Sequence, residues 1–453
     1  MTGGWRLAAR NLGRNRRRNM ATGLAVALGF AGLALLGGYV THADAFLRTN
    51  AVYLQHTGHV VIYNSGGLAQ AVARPARFSL TQAAQAAIRT AAAGDSRVAF
   101  SAGYLKAMGL AGNGCRSIPF IALGIDLDTQ RRILTGPEVL TISAALARPV
   151  RGRQLYEYPG VEGRVGLAAG LAALLGKTRI LDDFAGPPQV VPLPDCASRE
   201  TAAAIASDAN VQLAGMTLDG SMTATDADVV NIFHTPSSDT EDLVLHTSLP
   251  TLQRLYDTDV VTYVAVFLHD WRDTAGVARD LQAKLRAAGV TVDAYAFSDE
   301  RVNPYYAGSM AFINSMAGFI VLIVAAVVVL GVMNATTLTV YERSRELGTL
   351  RALGYTKRQA TGLVIREVAL LALLGVSAGF ALAHAVAALV SLAGVTVNPP
   401  GVPGTMRVIL TPGPEISLAL AASLALLSLA VAWAVVRRRL RERTSDLLVA
   451  VNA

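Results

Sequence analysis

Charge is scarce in this chain. Of 453 residues only 16% are Asp, Glu, Lys or Arg, against about 25% in ordinary soluble domains. The hydrophobic share is 52% and the mean hydropathy is +0.41, which points to insertion in a membrane. Cysteine is almost missing: there are only Cys115 and Cys196, and their spacing fits no zinc site. The sequence has no G-x-x-x-x-G-K-[ST] loop, so nothing in it is suited to cradle nucleotide phosphates in that way. His42, His56, His59, His234, His246 and His269 are scattered, without the H-x-x-x-H spacing of a helical zinc site. No metal, cofactor or catalytic constellation is expected. The acidic pairs Asp126/Asp128 and Asp226/Asp228 read as solvated turns.

Four apolar stretches are long enough to cross a bilayer, which takes about 20 residues. They cover approximately 21–40, 312–340, 368–392 and 416–436. The net charge of +8 divides unevenly around them. Residues 41–307 hold 22 Lys and Arg against 26 Asp and Glu, a net of −4, and the remainder holds 18 against 6, a net of +12. The basic excess therefore flanks the membrane segments, which argues against nucleic acid as a partner. Lys and Arg crowd before the first stretch (Arg6 to Arg18), between the second and third (Arg343 to Arg358) and after the fourth (Arg437 to Arg443). By the positive-inside rule both termini are cytoplasmic and the large insert lies outside the cytoplasm. The first apolar run is longer than that of a signal peptide, so a retained helix is expected.

The expected fold is thus an α-helical membrane protein with four transmembrane helices and a large mixed α/β extracytoplasmic domain inserted between helices 1 and 2. Its parts are a cytoplasmic interfacial helix (1–18), a first span with a stalk (19–48), the insert (49–304, in two subdomains) and a second span with a stalk (305–340). A cytoplasmic helix (341–360), the third span (361–392), a periplasmic loop (393–414), the fourth span (415–436) and a cytoplasmic tail (437–453) follow. Within the insert, 58–63, 117–125, 260–268 and 290–297 read as strands, and 80–90 and 273–288 as helices. Cys115 and Cys196, both next to loop-forming residues, can close a disulfide worth about 2–4 kcal/mol.

The densely charged island from Tyr341 to Gly354 stands apart. Leu347, Leu350 and Leu353 recur at helical spacing, Arg343 and Glu346 lie one turn apart and can pair, and Gly354 can stop the helix. Gly348 suits either close approach by a partner or a bend. Both charge signs, an apolar ridge and a stop describe a helix made to dock on another protein. Phe312, Asn314 and Ser315, early in the second span, could line a substrate entrance, or Asn314 and Ser315 could simply bond to a neighbouring helix. His384 in the third span is expected to hydrogen-bond between helices.

Glu342-Arg343-Ser344-Arg345-Glu346-Leu347-Gly348-Thr349-Leu350-Arg351-Ala352-Leu353-Gly354 is similar to the coupling signature of the MacB/LolC(E)/FtsX-like group of ABC-transporter permeases (type VII). The start Ala9-Arg10-Asn11-Leu12 with Arg16-Arg17-Arg18, the element Val161 to Leu171 and the run Asp242 to Asp273 resemble the same group. The resemblance implies a non-catalytic permease in which Glu342, Arg343, Glu346, Leu347, Gly348, Leu350, Arg351, Leu353 and Gly354 couple to a separate ATPase. Two copies of that ATPase would bind ATP and Mg, beside a homodimer or a related second permease and a periplasmic carrier or adaptor. It implies the bacterial inner membrane, and transmission of ATP-driven motion to the periplasmic domain. The size of the insert favours release of lipoprotein or lipid-like substrates. MacB-like export of a periplasmic substrate and FtsX-like regulation of a cell-wall hydrolase are the alternatives.

Overall fold

Among the described residues, four helices are long and apolar enough to cross a membrane: Asn19–Leu54, Pro304–Glu342, Lys357–Ala393 and Pro414–Arg438. The structure, a computed structural model, describes residues 10, 16–158, 162–181, 190, 193, 199–399, 401–403 and 405–439. The expected interfacial helix therefore lies almost wholly outside the described residues, as do Cys196 and the tail beyond residue 439. The chain forms two compact units. One joins residues 1–44, 310–396 and 407–453, and the other joins 45–309 and 397–406.

In the membrane unit, the third span shows why these sequences pack as helices. Its buried positions are Ala360, Val364, Glu367, Val368, Ala372, Gly375, Gly379, Ala383 and Ala387, a stripe at helical spacing composed mostly of small residues. Without a hydrophobic drive between helices in lipid, small residues gain contact by letting backbones come close. Gly379 is the tightest case on this stripe, since a Cβ there would sit 2.5 Å from the Ala27 carbonyl oxygen of the first span. Val26, Phe30, Ala34, Val328, Val332 and Leu424 complete the shared core. The third helix begins at Lys357, well before its apolar run. Thr356 caps it by accepting from the Gln359 N–H, while the Gln359 side chain accepts from the Thr356 N–H.

The α/β unit is built on ten strands: β1 (Val60–Asn64), β2 (Val98–Gly112), β3 (Ser117–Ile125), β4 (Arg151–Gly152), β5 (Arg164–Ala168), β6 (Asn210–Met216), β7 (Met222–Phe233), β8 (Val244–Ser248), β9 (Tyr263–Leu268) and β10 (Val292–Ala296). They run in the order β10-β1-β9-β2-β3-β8-β5-β7-β4, with β6 pairing both β2 and β7. The long β2 belongs to both halves. Its first part, to Tyr104, pairs β9, and its second part, from Leu105, pairs β3. One continuous sheet therefore carries two cores. Ile62, Ile88, Val264, Val266, Val277 and Leu281 fill the first, beneath the helices Gln82–Ala93 and Thr274–Ala287. Phe120, Leu167, Leu171, Leu213, Leu245 and Leu252 fill the second. Residues 397–406, from the loop between the last two spans, belong to this unit, where the Ser238 N–H donates to the Gly401 carbonyl at 2.9 Å.

Candidate functional site

The charged island folds as a short helix, Ser344–Ala352, separated from the second span by one residue, Arg343. The break falls at Arg343 and not at Gly348, which lies buried within the helix. At the far end, Gly354 takes a φ of +95°, and the Tyr355 N–H closes back on the Leu350 carbonyl at 3.0 Å. That is the six-to-one bond of a Schellman stop, which needs the left-handed conformation that glycine adopts freely.

Arg343 makes its main ion pair away from the short helix. Its Nη1 donates to Glu367 Oε1 at 2.7 Å and to Oε2 at 2.9 Å. The two side chains are only 12% and 8% exposed. Glu346, the partner expected from spacing, is 3.9 Å away and more than half exposed. Glu367 lies on the buried stripe of the third span, where a helix pattern calls for an apolar residue. A buried carboxylate needs a charge partner and hydrogen bonds, and Arg343 supplies both. The pair ties the start of the short helix to the third span. Beside it, Asn19, Thr22, Thr336, Thr339 and Ser428 line a cavity of about 30 Å³ next to Glu367, room for a water molecule. The Ser344 hydroxyl donates to the Val340 carbonyl at 2.9 Å, which further secures the junction.

The rest of the island is presented outward. Leu353 is 75% exposed, and Tyr341 and Tyr355 are each about half exposed. Glu342 and Glu346 are exposed, and Leu350 is half-buried. Leu347 and Arg351 lie on the helix, and their side chains fall outside the description. Sequence reasoning found this helix and missed Glu367, whose signal was an acidic residue at a stripe position inside a helix that starts earlier than its apolar run.

Other expected positions fall elsewhere. Phe312, Asn314 and Ser315 are exposed on the second span, and neither the Asn314 nor the Ser315 side chain makes a hydrogen bond among the described residues. His384 does not bond between helices. Its Nδ1 is 3.0 Å from the Phe380 carbonyl one turn earlier on its own helix, and its ring packs on the Phe380 ring at 4.1 Å. Cys115 is disulfide-bonded; Cys196, the other cysteine of the chain, lies outside the described residues.

In the α/β unit, His56 and His246 come together with ring centroids 5.6 Å apart, which spacing in the sequence did not foretell. With His234, Gln130 and Asn231 they line a cavity of about 40 Å³. Neither ring nitrogen of His56 meets hydrogen-bond geometry, so water is the natural occupant. Burial, with Lys106 nearby, pulls His56 down to about 4. Among the described residues no group of three or more His, Cys, Asp or Glu could hold a metal ion.

Residues 318–444 match the family model of the FtsX-like permease C-terminal domain. Among solved structures, the chain is similar to the extracellular domain of the noncanonical ABC-type transporter YknZ from Gram-positive bacteria. The identity is 11% over 52% of this chain and 98% of that one, with a TM-score of 0.30. It is also similar to the periplasmic region of MacB from Actinobacillus actinomycetemcomitans, at 12% identity over 53% of this chain and 88% of that one, with a TM-score of 0.32. No curated protein matches.

Proposed function

We propose that the chain, whose residues 318–444 match the FtsX-like permease C-terminal model, is a MacB/FtsX-like ABC-transporter permease, a non-catalytic subunit that turns the stroke of a separate ATPase into movement of its α/β domain. The short helix Ser344–Ala352 is the receiving element. One observation supports this above the rest: the helix is fixed to the third span by the buried Arg343–Glu367 pair, while Glu342, Glu346, Leu353 and Tyr355 stand open beside it. A push on the open face is passed to a transmembrane helix through a bond that does not yield easily. In this reading the helix lies on the cytoplasmic side with both termini, and the α/β domain lies across the membrane.

The client is a lipid-anchored or lipid-like molecule at the outer surface of the inner membrane. The exposed Phe312, Met316 and Phe319 form an apolar face near the start of the second span, with Ser315 at its edge and Asn314 on the other side of the helix. Such a face suits an acyl chain with a polar head. The same span is the least buried of the four, so a second permease copy is the expected neighbour along part of it.

The test is capture of the ATPase from native membranes on the tagged full-length chain. Glu346→Arg and Leu353→Asp should each lose the ATPase while the melting temperature is unchanged. Retention of the ATPase by both variants would overturn the docking role. Acylated protein or lipid co-purifying with the parent supports the extraction reading, and a bound cell-wall hydrolase opposes it.

A further inference from the structure

Between the start of the third membrane helix and the end of the fourth lies a broad groove whose basic residues the docking reading does not use, although Leu350 and Tyr355 border both. Lys357, Arg358, Arg366 and Arg437 contribute to its walls, with Trp433 and Tyr355 between them. Among the described residues no Asp or Glu lines it. Lys357, Arg358 and Arg366 make no ion pair among the described residues. The Arg437 guanidinium stacks over the Trp433 ring, 4.8 Å from its centroid. Four cations with no counter-charge among the described residues, gathered in one concavity, repel one another and favour an anionic occupant.

The surroundings say which anion. Seven residues into the third helix from Arg366, on the same face, stands the exposed Leu373, and seven residues back from Trp433 on the fourth helix stands the exposed Leu426. The basic groove thus continues into an open apolar surface on both helices that form it. Trp and Arg at a helix end are the residues that settle at the headgroup layer. A free phosphate would use the cations alone. A soluble acidic protein would leave the apolar faces uncovered. A phospholipid with an anionic head uses both.

We propose that this groove is a binding site for an anionic phospholipid such as phosphatidylglycerol, its head held by Arg358, Arg366 and Arg437 and its chains lying past Leu373 and Leu426. The proposal rests on these helices spanning a membrane and is independent of any ATPase, so its failure would leave the docking reading standing.

The full-length chain carrying Trp5→Phe and Trp271→Phe retains Trp433 as its sole tryptophan. Reconstituted in vesicles, its fluorescence is quenched by chain-brominated phosphatidylglycerol or by chain-brominated phosphatidylcholine. Quenching should reach half-maximum at a clearly lower mole fraction of the anionic lipid. Arg358→Gln and Arg366→Gln should each weaken that preference by about fivefold, and Arg358→Lys should keep most of it. Equal quenching by the two lipids overturns the proposal. Loss of the preference on adding excess inorganic phosphate at constant ionic strength also overturns it, because the site is then one for free phosphate. Protection of Trp433 from both lipids does so too, because a protein surface then covers the groove. Circular dichroism and melting of each variant separate misfolding from lost binding; if both Gln variants are folded and keep the full preference, the proposal fails.

Discussion

Arg343 and Glu367, 24 residues apart, meet through one guanidinium nitrogen bonded to both carboxylate oxygens at 2.7 and 2.9 Å. Removing either partner leaves the other buried and uncompensated, which costs about 3–5 kcal/mol. Arg343→Ala and Glu367→Gln should therefore lower stability markedly in detergent unfolding. Replacing both with apolar residues, Arg343→Met with Glu367→Leu, should restore most of the stability, since buried ion pairs often break even against a well-packed apolar pair. Coupling should not return with it, because the directional tie between the short helix and the third span is gone. A double variant that both melts like the parent and shows parental stimulation of the ATPase would count against a transmitting role.

The sequence carried the short helix plainly, because its charges and leucines are local and Gly354 stops it by its own backbone freedom. The partner of Arg343 was hidden for the opposite reason. Spacing along one helix favours Glu346, which does pair with Arg343, at 3.9 Å and open to solvent, whereas the closer partner lies on another helix and is chosen by burial: Glu367 is almost fully enclosed and must be neutralised. In the α/β unit, the strand expected at 117–125 forms over those residues. The hairpin of β6 and β7 went unread, although buried Val211 and Leu213 alternate with exposed or half-buried neighbours and Asp219-Gly220 marks the turn. Its outer half, with exposed Met216 and Met222, is too polar and too rich in Ala and Thr to resemble a core strand. The meeting of His56 and His246 depends on long-range strand placement, which no local pattern encodes.

Gly379 gives a test of the helix packing. A methyl group there would meet the Ala27 carbonyl at 2.5 Å, backbone that cannot swing aside as a side chain can. Gly379→Ala should cost about 1–3 kcal/mol as an overpacked contact. Gly362→Ala, where nothing lies within 4 Å, should be neutral or slightly stabilising, since Ala favours helix over Gly. Comparing the two melting temperatures separates close packing from the general effect of glycine in a helix.

With Cys115 bonded and only two cysteines in the chain, the unreduced protein unfolded in denaturant should release no free thiol. Cys115→Ser should destabilise the α/β unit by about 2–4 kcal/mol. The loss should be equalled by adding reductant to the parent, and the variant should show no further change with reductant. Two titratable thiols in the unreduced parent would refute the pairing.

Stability should also fall on mild acidification, and the direction follows from the buried histidines His56, His59 and His246, all held down by burial. Burial, with Lys106 nearby, brings His56 down to about 4, and burial, with Arg48 nearby, does the same to His59. The His59 Nδ1 accepts a hydrogen bond from the Leu268 N–H at 3.0 Å, a bond that protonation at that nitrogen destroys. Above pH 6.5, the ordinary value for histidine, neither the folded nor the unfolded chain holds a proton on these rings, and they contribute nothing to the pH dependence. Below it the unfolded chain takes up protons that the folded chain refuses until about pH 4. Folding therefore weakens steadily across that window, by up to about 3 kcal/mol for each ring. Unfolding of the full-length protein, followed at intervals from pH 7.5 to 4, should show this slope. His59→Gln, which cannot titrate, should flatten part of it, the buried His246 adding to the same slope, while lowering stability at pH 7.5. A slope unchanged in both His56→Gln and His59→Gln would mean that other groups govern the acid response.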